Sequence, residues 1–162
     1  MQKGGSWKIQ GEIRFDMYDV AIIGAGPAGS TFARLVPVSL RICIVDKRNL
    51  DDNRDFIRPK CCGGLLAPAA QKELAEQGLG VPEDVLAGPQ TFSVKSIDLD
   101  NDLVRFYQRH YINIYREKFD RWLVSLIPRE VERFFGCIFK SCSFNEDAYT
   151  IKLRNADDDF EI

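Results

Sequence analysis

The clearest chemistry lies in Gly24-Ala25-Gly26-Pro27-Ala28-Gly29 and in Asp46, 22 positions after Gly24. Glycine at 24 lets the chain turn sharply, and glycine at 26 leaves no Cβ between the backbone and a diphosphate. Glycine at 29 lets a helix approach a sheet closely. Pro27 suits the first helical position, where its missing N–H costs nothing. With Ala28 it opens a first turn whose free N–H groups and positive dipole end favour phosphate. Asp46 can accept hydrogen bonds from ribose hydroxyls, and its charge would repel a 2′-phosphate. The reading is a site for FAD or NAD rather than NADP. The bland alternative is a glycine turn that binds nothing, but three glycines, Pro27 and a terminal acid together argue against it.

These residues need a strand before them and a strand ending at the acid. Tyr18–Ile23 is a short apolar run, and Arg41-Ile42-Cys43-Ile44-Val45-Asp46 is a second. Both read as buried parallel strands. A helix from Pro27 to Val36, stopped by Pro37, completes a βαβ unit. A polar, charge-rich loop covers Lys47–Lys60, and its Asp51–Asp55 run reads as a solvated stretch. Pro68–Gln77 reads as a helix stopped by Gly78. Phe92–Leu99 and Leu103–Tyr107 read as a hairpin turning at Asp100-Asn101-Asp102, with a separate short strand at Tyr111–Tyr115. Phe119, Trp122, Leu123, Leu126 and Ile127 follow helical spacing up to Pro128. Phe134–Cys142 and Ala148–Leu153 read as strands, and Phe160 begins another.

Composition narrows the class. With 45% hydrophobic and 28% charged residues, a disordered chain is excluded. The 22 basic against 24 acidic side chains offer no broad cationic face for nucleic acid. Five cysteines (43, 61, 62, 137 and 142) are an odd number without a CxxC pair, and His110 is the sole histidine, so neither a disulfide framework nor a metal site is expected. No apolar run is long enough to cross a membrane, and residues 1–16 lack the apolar stretch of a signal peptide. A cytoplasmic protein is the expectation, with residues 1–16 a poorly ordered extension.

Three segments carry a family resemblance. Val20–Ser30 is similar to the N-terminus of FAD-dependent oxidoreductases of the glutathione-reductase-like superfamily. Arg58-Pro59-Lys60-Cys61-Cys62-Gly63-Gly64-Leu65 resembles the K-x-C-G-G segment of the geranylgeranyl reductase family. Tyr111–Leu123 resembles that family's N-V-x-R-x-x-F-D-x-x-L segment. The resemblance implies an α/β fold: a Rossmann-like FAD-binding βαβ domain with a partial antiparallel β-sheet substrate region. It implies FAD as cofactor and reduction of carbon–carbon double bonds in a hydrophobic isoprenoid substrate, with NAD(P)H or another donor recharging the flavin. Peripheral membrane contact stays open.

Residue by residue, the resemblance places Arg116 on the cofactor, and Cys62, Gly63 and Gly64 beside the flavin ring and substrate tunnel. Cys62 is the catalytic candidate; Gly24, Gly26, Pro27, Ala28, Gly29, Asp46, Lys47, Gly63, Gly64 and Arg116 are the cofactor-binding candidates. Cys61 takes a position often held by proline, and Tyr115 one often held by aspartate. Each has a bland counterpart: Arg116 could simply open an exposed helix, and Cys62 could be a small residue in a tight turn.

The expected organisation is an FAD-binding segment at 17–90, a substrate-domain strand segment at 91–115, and a helix and strands returning to the FAD-binding domain at 116–162. Family members are much longer, and no Asp-Gly pair occurs here, so a truncated N-terminal portion with weak or absent flavin retention is expected. Two rival readings remain at this stage. One is a flavin-dependent monooxygenase or hydroxylase; the other is a non-catalytic nucleotide-binding fragment.

Overall fold

The computed structural model describes residues 17–51, 61–145 and 147–162. The expected extension at 1–16, most of the charged loop and the Arg58-Pro59-Lys60 part of the cysteine segment lie outside the described residues.

Strand β1 (Val20–Ile23), helix α1 (Pro27–Leu35) and strand β2 (Ile42–Asp46) form the anticipated βαβ unit, with β1 and β2 parallel. Strand β6 (Glu132–Phe135) lies parallel on the other side of β2, giving the order β1-β2-β6. All five residues of β2 are buried, as a central parallel strand covered on both faces requires. On one face, Ile22, Ile42 and Ile44 pack with Ala33 of α1 and with Val124 and Ile127 from α3 (Arg116–Ser125) and its end. On the other, Val45 packs with Cys137, just before β7, and with Ile151 and Leu153 of β8, in an antiparallel sheet of β7 (Ile138–Asn145), β8 (Ala148–Arg154) and β9 (Asp159–Glu161).

A third sheet, in the order β3-β5-β4, contains β3 (Leu65–Leu66), β5 (Leu103–Asn113) and β4 (Thr91–Asp98). Helix α2 (Pro68–Glu76) follows β3 and ends before Gly78, which has a φ of 70°. A core of Val85, Ile114, Phe119 and Leu123, with Leu66, Leu74 and Trp122 against it, joins this sheet and α2 to α3. Helix α3 therefore has two apolar sides: Val124 and Ile127 face the parallel sheet, while Phe119 and Leu123 face the third sheet. Its first turn falls at the junction of the two.

Two strand boundaries differ from the expectation. The separate strand at Tyr111–Tyr115 is the continuation of β5, which runs unbroken from Leu103 to Asn113. The alternation there is masked because eight residues of β5 are exposed on both faces. The single strand expected over Phe134–Cys142 is two. Gly136, with a φ of 76°, breaks it and sends β6 and β7 into different sheets, a left-handed conformation that glycine adopts without strain. Among the described residues no helix is long and apolar enough to cross a membrane.

Candidate functional site

The glycine loop is tied to the sheet at its start. The Gly24 N–H donates to the Val45 carbonyl at 2.7 Å, and Gly24 has a φ of 106°. A Cβ on Gly29 would lie 1.9 Å from the Gly24 carbonyl oxygen, so only glycine lets α1 start this close to the strand end. Pro27 occupies the start of α1, and the N-cap, Gly26, makes no side-chain capping bond. The first turn thus keeps backbone N–H groups directed at the loop side, the arrangement that suits a diphosphate. Pro27 and Ala28 line a cavity of about 510 Å³.

Asp46 ends β2 and is buried beside the loop. Its Oδ2 accepts from the Ala25 N–H at 2.8 Å and from Arg48 Nη2 at 3.0 Å. Its Oδ1 accepts from the Arg48 N–H at 2.8 Å and from Arg48 Nε at 3.0 Å. Burial works to raise the Asp46 pKa, but the Arg48 side chain and the two N–H groups outweigh it and hold the carboxyl below its ordinary range. A carboxylate offers roughly four acceptor positions, and all are used. Ribose hydroxyls can reach Asp46 only by displacing or sharing Arg48.

Arg48 continues the network. Its Nη1 donates to Asp120 Oδ2 at 2.8 Å and its Nη2 to the Ala25 carbonyl at 3.3 Å. Asp120, on α3, is only 1% exposed. Its Oδ1 accepts from Arg116 Nε at 2.7 Å, across one helical turn. Arg116 Nη1 in turn lies 3.6 Å from Cys62 Sγ. Burial works to lower the Arg116 pKa, but the Asp120 carboxylate outweighs it and the guanidinium is held more firmly charged than usual. The Gly64 N–H, and after it the Arg116 guanidinium, hold the exposed Cys62 thiol below its ordinary value. By contrast, burial and then Glu132 push the Cys43 thiol up to about 12.

Gly64 explains how the cysteine turn reaches this place. It has a φ of 66°, its carbonyl accepts from the Ile114 N–H at 2.7 Å, and a Cβ there would sit 2.3 Å from the Ile114 carbonyl oxygen. The turn is pinned to the end of β5, one residue from the start of α3. Cys62, Gly64 and Arg116 line the same cavity as Pro27 and Ala28, and Phe32, Leu66 and Leu74 make its wall largely apolar.

Of the residues expected from the sequence, the structure gathers Pro27, Ala28, Cys62, Gly64 and Arg116 around one cavity and links Asp46 to them through Arg48 and Asp120. Gly63 and Lys47 are exposed; it is Arg48, not its neighbour Lys47, that engages Asp46. Arg48 and Asp120 were not expected. The four-residue spacing of Arg116 and Asp120 on one helix was a readable signal. Nothing local distinguished Arg48 from Lys47.

No family model matches the chain. Protein CbrA of Escherichia coli K12 is 44% identical over 137 residues, which are 85% of this chain and 38% of CbrA. CbrA of Shigella sonnei matches to the same extent. The chain thus spans about 38% of the length of these curated relatives. Among solved structures, a geranylgeranyl bacteriochlorophyll reductase-like protein from Thermoplasma acidophilum superposes with a TM-score of 0.68 at 20% identity, covering 89% of this chain and 36% of that one. A flavin-dependent brominase superposes at 0.65 and 19% identity, covering 90% and 36%. Aklavinone-11 hydroxylase, solved with FAD and aklavinone, superposes at 0.62 and 17% identity, covering 90% and 31%. At such identities the likeness is one of fold: the chain has the mixed α/β fold of these flavoproteins.

Proposed function

We propose that this chain forms the dinucleotide-binding part of an FAD-dependent oxidoreductase of the geranylgeranyl-reductase type. The observation that carries the proposal is the shared cavity. The first turn of α1, the cysteine turn and Arg116 all border one largely apolar space of about 510 Å³. FAD, when bound, supplies hydride transfer to a carbon–carbon double bond. The glycine loop and α1 would hold its diphosphate, and Asp46 its ribose once Arg48 gives way. The donor set fits such a ligand: a helix start that only glycine packing permits, beside two guanidiniums, Arg48 and Arg116. Cys62 and the apolar wall would orient a hydrophobic isoprenoid-like chain and keep water from it. NAD(P)H or another donor would supply the electrons, and a cytoplasmic setting fits the proposal.

Equilibrium dialysis against FAD and NADP tests the binding. FAD is expected to bind in preference to NADP, and Arg116→Ala to weaken it about tenfold. No uptake of FAD by this chain supports the non-catalytic fragment, and NADP bound as well as FAD overturns the reading.

A second reading, a flavin-dependent monooxygenase, is favoured by the hydroxylase among the fold neighbours. Isotopically labelled oxygen separates the two. Label in the product supports hydroxylation, whereas an alkene reduced under argon supports the reductase.

A further inference from the structure

Asp120 is almost wholly buried, yet its two oxygens serve two different segments. Oδ2 takes Arg48, which follows β2, and Oδ1 takes Arg116, which opens α3. Each guanidinium has a second partner: Arg48 holds Asp46 and Arg116 reaches Cys62. The result is a chain of alternating charge running from the acid at the end of β2 to the thiol of the cysteine turn. Among the described residues two acids and two guanidiniums alternate along it, each charge beside one of opposite sign.

We infer that Asp120 is a positioning residue that holds Arg116 against Cys62 and Arg48 against Asp46 at the same time, so that a change at the nucleotide acid is felt at the thiol. Among the described residues, Arg116 has only the Cys62 thiol as a further partner, whereas Arg48 is also held by the Asp46 carboxylate and the Ala25 carbonyl. Arg116 stands at the start of α3, where the helix dipole disfavours a cation, and its ion pair with Asp120 offsets this. Arg48 sits in a loop, spans from Asp46 to Asp120, and would lose one end of its span without the carboxylate.

Several groups face Cys62. Arg116 and Asp120 come from α3, the Gly64 N–H and Cys61 from its own turn, and Glu73 of α2 lines the same cavity. The Asp120 charge taken alone disfavours the thiolate, while the guanidinium it holds favours it. The two roles therefore predict opposite signs when the charge is removed. A carboxylate acting only through its charge would, once neutralised, leave a more reactive Cys62. A carboxylate that positions Arg116 would leave a less reactive one.

The test is the rate of iodoacetamide alkylation of Cys62 in the full chain against pH, read by peptide mass spectrometry, with exposed Cys142 as the internal reference. Asp120→Asn is expected to move the Cys62 profile up by about one pH unit, slowing alkylation about tenfold at neutral pH. Cys142 is expected to stay unchanged. A faster or unaltered Cys62 overturns the inference. Arg48→Gln keeps it testable if Asp120→Asn does not fold. Arg48 makes no bond to Cys62, yet its loss is expected to slow alkylation about twofold, and to have no further effect in an Arg116→Gln background. An unchanged rate, or an additive one, overturns the coupling. The inference goes beyond the flavin reading and is measured without flavin, so a chain that takes up no FAD still decides it.

Discussion

Strands β2 and β5 are both rich in residues that favour strands, and they meet opposite fates. Every residue of β2 is buried, with Ile44 and Val45 sealed between the helices on one face and the β7-β8-β9 sheet on the other. Eight of the eleven residues of β5 are exposed, and Phe106 is 73% exposed although it is as apolar as anything in β2. The difference is coverage. A strand becomes core when layers pack on both faces, whatever its own propensity. The long β4-β5 ribbon pairs its backbone but, among the described residues, has little packed against its far half, where Ile97, Leu99 and Val104 also lie open.

Between the two regions stands α3, and the largest expected effect falls there. Asp120→Ala strips the buried partner from two guanidiniums and is expected to destabilise the chain by about 4 kcal/mol, read as a lower urea midpoint. Leu153→Ala, which hollows the layer covering β2, is expected to cost about 3 kcal/mol. If it costs no more than a ribbon substitution, the contrast drawn from coverage fails. Gly29→Ala forces a Cβ onto the Gly24 carbonyl and is expected to cost about 2 kcal/mol with a shifted α1.

Acid titration sharpens the role of β2's last residue. The folded pKa of Asp46 lies below its ordinary value. Its contribution to stability is therefore fully present above the ordinary aspartate value and lost as pH falls through the folded one. Asp46→Asn should flatten the urea midpoint against pH in that acid window, and an unchanged slope would show that the pair with Arg48 does not form in solution. The smallest effect belongs to the ribbon: Phe106→Ser is expected to alter stability by less than about 0.5 kcal/mol, while reducing self-association in light scattering.

The βαβ unit was legible because its signals are local. Apolar runs of strand length, a glycine turn opened by Pro27, and an acid at a fixed spacing each follow from neighbours along the chain. So were α2 and α3, through Gly78 and the helical spacing of Phe119, Leu123 and Ile127. The break between β6 and β7 escaped because a single glycine in an apolar run is compatible with either a continuous strand or a turn. The partner of Asp46 escaped because Lys47 and Arg48 are both cations next to an acid, and only the course of the loop decides which one turns inward.

What the residues determined unaided was the dinucleotide unit and the chemistry its turn can support, since backbone conformation at glycine and helix-start geometry are short-range properties. What the tertiary structure decided was the assembly of the site. Cys62, Arg116, Asp120, Arg48 and Asp46 are separated by up to 74 positions. They meet because α3 packs on both sheets at once and brings a buried carboxylate between two loops. A buried charge must find partners wherever the fold places them, and no local pattern states where that is.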